Sequence, residues 1–295
     1  MKTCLGPRGA FVISDLFFFE HYQTPTMRAH TNNRECVEVR KRPAFWAQNI
    51  DTNSHWVELQ LFILALGTGI QDAVVYPQFG CFVSNQTGNT VVFAVGALSH
   101  QGPHPAASTV SLPAIATSLG LFIAGVFSTG QFANSLSAVR RRWWLISTSM
   151  FQCALIAIAA ALLYQLPDAS HASNGLGLLT IVLLAFSSGA QVGMVRALKI
   201  TDITTAMATA AWIDILIDPK WFAPPSENRG RNRRVGFLLC LVIGSFIGAA
   251  AHAELGPGFA VILSLITRLF ATAVCLFSPR DVSGEVELIN SAPVA

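Results

Sequence analysis

Six stretches of this chain, residues 57–76, 112–132, 143–163, 176–195, 235–253 and 258–277, are long and apolar enough to cross a bilayer. Each runs for about twenty residues, which is what a hydrocarbon core about 30 Å thick asks of a helix. Lipid offers no partner to a free backbone N–H or C=O, so apolar segments of this length cross as α-helices. The expected fold is therefore an all-α polytopic membrane protein. With 52% apolar and 12% charged residues, the composition lies far from that of a soluble domain, of which roughly a quarter is charged. The net charge is +3, and the basic residues lie in loops without interleaved aromatics, which leaves no nucleic-acid surface. The partner implied by composition is the lipid bilayer.

Two shorter stretches, 82–98 and 201–217, have polar first halves and can be read as full spans or as segments that dip in and return. Basic residues favour the second reading. Lys and Arg of short loops collect on the cytoplasmic side. With six spans, Lys41, Arg42, Arg140, Arg141, Arg142, Arg196, Lys199, Lys220, Arg229, Arg231, Arg233, Arg234 and Arg280 all fall on one side, while the opposite loops, 77–111, 164–175 and 254–257, hold no Lys or Arg. With eight spans the clusters face each other. Six spans put both termini in the cytoplasm, with Arg140, Arg141, Arg142, Arg231, Arg233 and Arg234 as topology anchors. Which cellular membrane is involved has no signature. Residues 1–55 read as a disordered tail, 56–280 as the transmembrane domain and 281–295 as a second tail. The apolar run 10–19 is broken by Asp15 and has no cleavage pattern after it, so it does not read as a signal peptide.

The order of elements repeats. Gly69-Ile70-Gln71 finds an echo in Gly189-Ala190-Gln191, and Ser84 to Gly88 in Thr205 to Thr209, in each case late in an apolar span and just beyond it. A glycine-bearing span follows in each half, with Gly120, Gly125 and Gly130 in one and Gly244 and Gly248 in the other. The repeats are 56–165 and 176–278. Three crossings per repeat is an odd number, so the second half runs opposite to the first. Inverted repeats with interrupted polar segments are a common build of secondary transporters, with the site where the halves meet. The Gly244-x-x-x-Gly248 pair is also a close-packing pattern, open to a second copy or another membrane protein.

Gly69-x-x-Asp72, Phe79-Gly80 and Phe82-Val83-Ser84-Asn85-x-Thr87-Gly88-Asn89 resemble the YoaK-like membrane proteins, the family of the domain of unknown function 1275. Ala185-Phe186-x-x-Gly189-x-Gln191, Val195-Arg196 and Thr204-Thr205 are similar to that family's second motif. The resemblance covers about residues 57–277. It departs where the family tends to read Thr-Thr-Tyr-Met-Thr-Gly and this chain has Thr204-Thr205-Ala206-Met207-Ala208-Thr209. It implies a polytopic membrane protein and carries no activity with it.

The candidate site residues are those whose chemistry is expensive in lipid. Asp72 lies in a span, where a carboxylate must be paired, protonated or hydrated. It reads either as a proton or substrate contact or as a structural acceptor. Asn85, Thr87, Gly88 and Asn89 can bind a solute or satisfy an irregular backbone. Arg268 lies too deep in the last span to reach water easily, and Asp72 or Asp214 is its expected partner. Gln71 and Gln191 complete the set. No nucleophile–base pair, metal spacing, P-loop or cofactor motif occurs, and the six cysteines are scattered, so no enzyme, metal or cofactor is expected. The function these residues suggest is a transporter or channel-like permease for a small polar solute, with proton coupling as one option. The competing reading is a non-catalytic scaffold or accessory subunit.

Overall fold

A computed structural model describes residues 44–99, 111–166, 169, 171, 174–200, 202, 203 and 205–282. Of the tails expected at 1–55 and 281–295, residues 1–43 and 283–295 lie outside the described residues, as does Thr204 of the second motif, whereas Ile50 and Asp51 bond to the backbone of Arg140 and Pro279. Among the described residues eight α-helices follow one another: α1 (His55–Phe79), α2 (Gln86–Ser99), α3 (Leu112–Ser135), α4 (Arg142–Gln165), α5 (Gly175–Ala197), α6 (Ala208–Leu216), α7 (Arg229–Leu255) and α8 (Pro257–Leu276). Among the described residues there is no strand, only two isolated backbone bridges. Six of the helices, all but α2 and α6, are long and apolar enough to cross a membrane. Helices α2 and α6 have 14 and 9 residues. At 1.5 Å per residue they reach about 21 and 14 Å, short of a hydrocarbon core.

Helix ends follow local chemistry. Ser54 caps α1, its hydroxyl accepting from the Trp56 N–H at 3.2 Å. Gly80 closes the same helix with φ 69°, a left-handed conformation that glycine takes without a Cβ clash. Helix α7 begins at Arg229, ahead of the apolar run expected from residue 235. Asn228 caps it, accepting from the Arg231 N–H at 3.0 Å, and Arg229, Arg233 and Arg234 of its first two turns find carboxylates on Glu58 and Asp202. A basic stretch that reads as loop is thereby drawn into a helix.

Helix α1 packs on α7 and α8, α3 on α5, and α4 on α5 and α8. Backbones touch at two crossings. A Cβ on Gly189 would stand 2.1 Å from the Phe122 carbonyl oxygen, and one on Gly125 2.4 Å from that of Phe186. At the other crossing, a Cβ on Gly244 would stand 2.1 Å from the Leu66 carbonyl oxygen, and one on Gly69 2.3 Å from that of Leu241. Lipid supplies no hydrophobic drive between helices, so contact at this range is what holds them. The Gly244-x-x-x-Gly248 stripe is used inside the chain, against α1.

One end of the bundle gathers three chain segments by backbone hydrogen bonds, from Ile50 N to Arg140 O, Asp51 N to Pro279 O and Arg142 N to Gln48 O, each 3.0 Å. The starts of α1 and α4 and the end of α8 lie there, and ion pairs from Glu58 and Asp202 bring in the start of α7. At the other end a single apolar cluster holds Phe79, Cys81, Ala114, Ile115, Leu163 and Ala169. The end of α1 and the start of α3 thus share one end, and the end of α5 and the start of α7 share the opposite one.

Most of the residues expected as topology anchors have internal partners. Arg142 is 2% exposed and caps the C-terminus of α8, donating to the carbonyls of Cys275 (3.2 Å), Leu276 (2.6 Å) and Ser278, with its guanidinium 4.1 Å from the Phe45 ring centre. Arg231 donates to the carbonyls of Trp221 and Ala223. Arg233 and Arg234 are tied to Glu58, Asp202 and Asp214. Arg140 is half-buried, 3.6 Å from Asp281, and Arg141 is exposed.

Candidate functional site

The chain leaving α1 turns back on itself. Asp72, two helical turns before the end of α1, accepts from the N–H groups of Val83 (3.0 Å) and Ser84 (3.1 Å) through Oδ1, and from the Ser84 hydroxyl through Oδ2. An ionised carboxylate is purely an acceptor, and here it meets three donors. From the other side Asn89 grips Phe82, its Oδ1 accepting from the Phe82 N–H at 2.8 Å and its Nδ2 donating to the Phe82 carbonyl at 2.7 Å. Ser118 of α3 donates to that carbonyl at 2.5 Å, and Gln86 Nε2 to the Val83 carbonyl at 3.1 Å. Asn85 caps α2, accepting from the Gly88 N–H at 3.1 Å. Backbone groups that would be orphaned in an apolar setting are met by side chains. Tyr76 stacks on Phe82, ring centres 4.5 Å apart, and covers the turn.

This turn forms one wall of a cavity of about 600 Å³ in the middle of the bundle. Gly69 and Asp72 of α1, Ser84 to Gly88, Phe122 of α3, Val192 of α5, Ala206 to Ala210 at the start of α6, and Leu241 and Ser245 of α7 line it. Both short polar segments therefore face the same space. Of the residues singled out in the sequence, Asp72, Asn85, Thr87 and Gly88 line this cavity together; Asn89 is fully buried behind the turn.

The remaining candidates lie elsewhere. Gln191 Nε2 donates to the Thr68 hydroxyl at 3.1 Å, joining α5 to α1, and Gln71 is buried with its Nε2 unpartnered among the described residues. Arg268 pairs with neither Asp72 nor Asp214, contrary to expectation. It is 4% exposed and donates to Gln152 Oε1 of α4 at 2.5 Å. The reason is topological: Asp72 is engaged by the turn, Asp214 lies 3.4 Å from Arg234 at the basic end, and α8 lies against α4. Ser84, Ser118 and Ser245 were missed. Serines in apolar helices carry no sequence signal of their own, although Ser84 stood inside the motif.

The second turn is built differently. Asp202 pairs with Arg234 (2.8 Å) and Arg233 (3.4 Å) of α7, Arg196 touches the Met207 sulfur at 3.0 Å, and Lys199 and Thr205 carry positive φ of 59° and 56°. The Thr205 hydroxyl is buried without a partner among the described residues. No group of three His, Cys, Asp or Glu able to hold a metal occurs among the described residues.

Six long apolar helices and two short ones with interrupted polar starts define a multi-pass helical membrane protein. Within that class the chain belongs to the family described as "Protein of unknown function (DUF1275)", whose model matches residues 60–275. No curated protein and no solved structure matches it.

Proposed function

We propose that this protein is a permease for a small polar solute, built as an inverted repeat around the central cavity. One observation carries the reading: two short polar segments that start from opposite ends of the bundle line the same space, at the depth of Gly69 and Asp72. In this reading each segment enters the membrane from one face, reaches the middle and leaves by the same face. The glycine crossings support the repeat. Moving about 120 residues along the chain turns the Gly125–Phe186 contact into Gly244–Leu66, and the Gly69–Leu241 contact into Gly189–Phe122. Irregular backbone at membrane depth is tolerated where it is sheltered by protein or lines a wet cavity, and solute sites of transporters are often built this way.

The basic end is cytoplasmic, since every described Lys and Arg except Arg268 lies there. The volume suits a small solute. Asn85, Thr87 and Thr209 offer it hydrogen bonds, while Asp72 shapes the wall. Proton coupling, in this account, acts through the clasp: protonating Asp72 weakens its grip on Val83 and Ser84.

The test is flux in proteoliposomes, with glycerol and urea followed by light scattering and protons by an internal pH dye. Wild-type vesicles exceed empty ones for at least one of these, and Thr87→Phe and Ala208→Phe, which fill the cavity from its two walls, return the rate to that of empty vesicles. Rates equal to those of empty vesicles in all three proteins would overturn the permease and leave a scaffold.

A further inference from the structure

At the basic end, a second cavity of about 600 Å³ opens between the ends of α3 and α5. Arg140, Arg196 and Lys199 line it with Asn49, Asn134 and Ser137, and among the described residues no acidic side chain does. The clustered arginines nearby already have partners: Arg142 on carbonyls, Arg231 on loop carbonyls, and Arg229, Arg233 and Arg234 on Glu58, Asp202 and Asp214. Arg196 and Lys199 make no ion pair among the described residues, and the Arg196 guanidinium lies 3.0 Å from the Met207 sulfur. We infer that this cavity is a binding site for a phosphate-bearing anion at the membrane surface.

Charge arithmetic supports an anion. The C-termini of α3 and α5 contribute about half a negative charge each. Asp281, 3.6 Å from Arg140, offsets about one more. Three cations therefore leave about one positive charge unbalanced in a pocket that also presents two amides and a hydroxyl. A phosphate accepts hydrogen bonds from all of these groups, and guanidinium matches its oxygens in pairs. Gly130 borders open space, where a Cβ would have no atom within 4 Å. Ser137 and Lys199, which turn the chain at the mouth, both hold positive φ, 48° and 59°, a conformation non-glycine residues rarely adopt. The site is separate from the solute cavity and does not depend on the permease reading. They meet only through Arg196, whose neighbour Met207 lines the central space.

The phosphate can belong to an anionic lipid headgroup or to a soluble molecule, and one experiment separates the two. The protein is placed in nanodiscs of phosphatidylcholine, with or without phosphatidylglycerol, and retained lipids are counted by native mass spectrometry. Thermal midpoints are read in phosphatidylcholine nanodiscs with inorganic phosphate against chloride at equal ionic strength. Wild type is compared with Arg196→Gln/Lys199→Gln, with Gly130→Phe, which fills the pocket from an open helix face, and with Arg141→Gln, a charge loss outside it. Each cation near an anionic surface is worth about fivefold in binding, so the double variant should retain phosphatidylglycerol about 25-fold less. Retention by wild type and Arg141→Gln, lost in the other two, supports a lipid headgroup. A midpoint raised by inorganic phosphate, and lost in the same two variants, supports a soluble phosphate. Equal behaviour of all four proteins, or an equal loss in Arg141→Gln, would overturn the site. Flux through the central cavity is not read here, so failure of one proposal leaves the other standing.

Discussion

The two chain reversals do the same job with opposite materials. The turn before α2 is knitted by uncharged or singly charged side chains whose bonds go mostly to backbone: Asp72, Asn89, Ser118 and Gln86 meet the N–H groups of residues 82–84 and the carbonyls of Phe82 and Val83. The turn before α6 is held by ion pairs from Asp202 to two arginines of α7, with two non-glycine residues in left-handed conformation and a buried hydroxyl unpartnered among the described residues. Hydrogen bonds sheltered from water keep their strength, whereas partly exposed ion pairs are screened and contribute little. The difference sets a wall held by sheltered hydrogen bonds against one held by screened ion pairs. Native-state hydrogen exchange should find the amides of Lys199, Asp202, Ile203 and Thr205 opening faster than those of 82–89.

The sharpest way to break this contrast is to remove the clasp. Asp72→Ala leaves two N–H groups and a hydroxyl without an acceptor and should cost about 3–6 kcal/mol, read as loss of monodisperse protein or a large fall in the thermal midpoint. Asp72→Asn, which keeps one oxygen for the two amides, should recover most of it. Next come the glycine crossings, where the halves should agree rather than differ. Gly189→Ala and Gly244→Ala each drive a Cβ to 2.1 Å from a carbonyl oxygen and should lose about 1–3 kcal/mol to a similar degree. Gly120→Ala meets nothing within 4 Å and should be neutral or gain up to about 1 kcal/mol in thermal unfolding.

Asp202→Asn should cost about 1 kcal/mol or less, with the loss shrinking as salt rises; a loss as large as that of Asp72→Ala would erase the contrast between the turns. The smallest effect concerns the loop leading into α7. The Asn228 amide and the Lys220 N–H hold the Asp218 carboxyl below the usual aspartate range. A depressed value means that this contribution is fully present above the unfolded-state value and is lost as pH falls through the folded one. Protease sensitivity of residues 218–228 should therefore be flat from pH 5 upward and rise only below the ordinary aspartate range.

Much of the frame was legible in the sequence because a lipid solvent imposes length. The run 57–76 became His55–Phe79 and 176–195 became Gly175–Ala197, with ends moved by Ser54, Gly80 and similar caps. The segments 82–98 and 201–217 contained helices, but shorter ones, Gln86–Ser99 and Ala208–Leu216, because their polar first halves form the turns. Asp72 was singled out by its cost in lipid, yet its partners were not: the Val83 and Ser84 N–H groups have no letter in the sequence, and the Ser84 hydroxyl carries no signal of its own. Arg142 and Arg231 read as surface charge because hydropathy cannot tell an arginine facing headgroups from one capping carbonyls. Arg268 was located correctly and partnered wrongly: contact between α8 and α4 depends on tertiary packing that periodicity does not encode.

The most direct measurement of the central claim is sidedness. Single cysteines at Leu98 and Glu254, and at Asn134 and Ser226, are reacted with a membrane-impermeant thiol reagent in oriented vesicles. The account requires Leu98→Cys and Glu254→Cys to label from one face, and Asn134→Cys and Ser226→Cys from the other. Labelling of Leu98→Cys from the same face as Ser226→Cys, with Asn134→Cys sharing the face of Glu254→Cys, would mean that α2 and α6 cross, and would contradict two segments meeting in the middle from opposite faces.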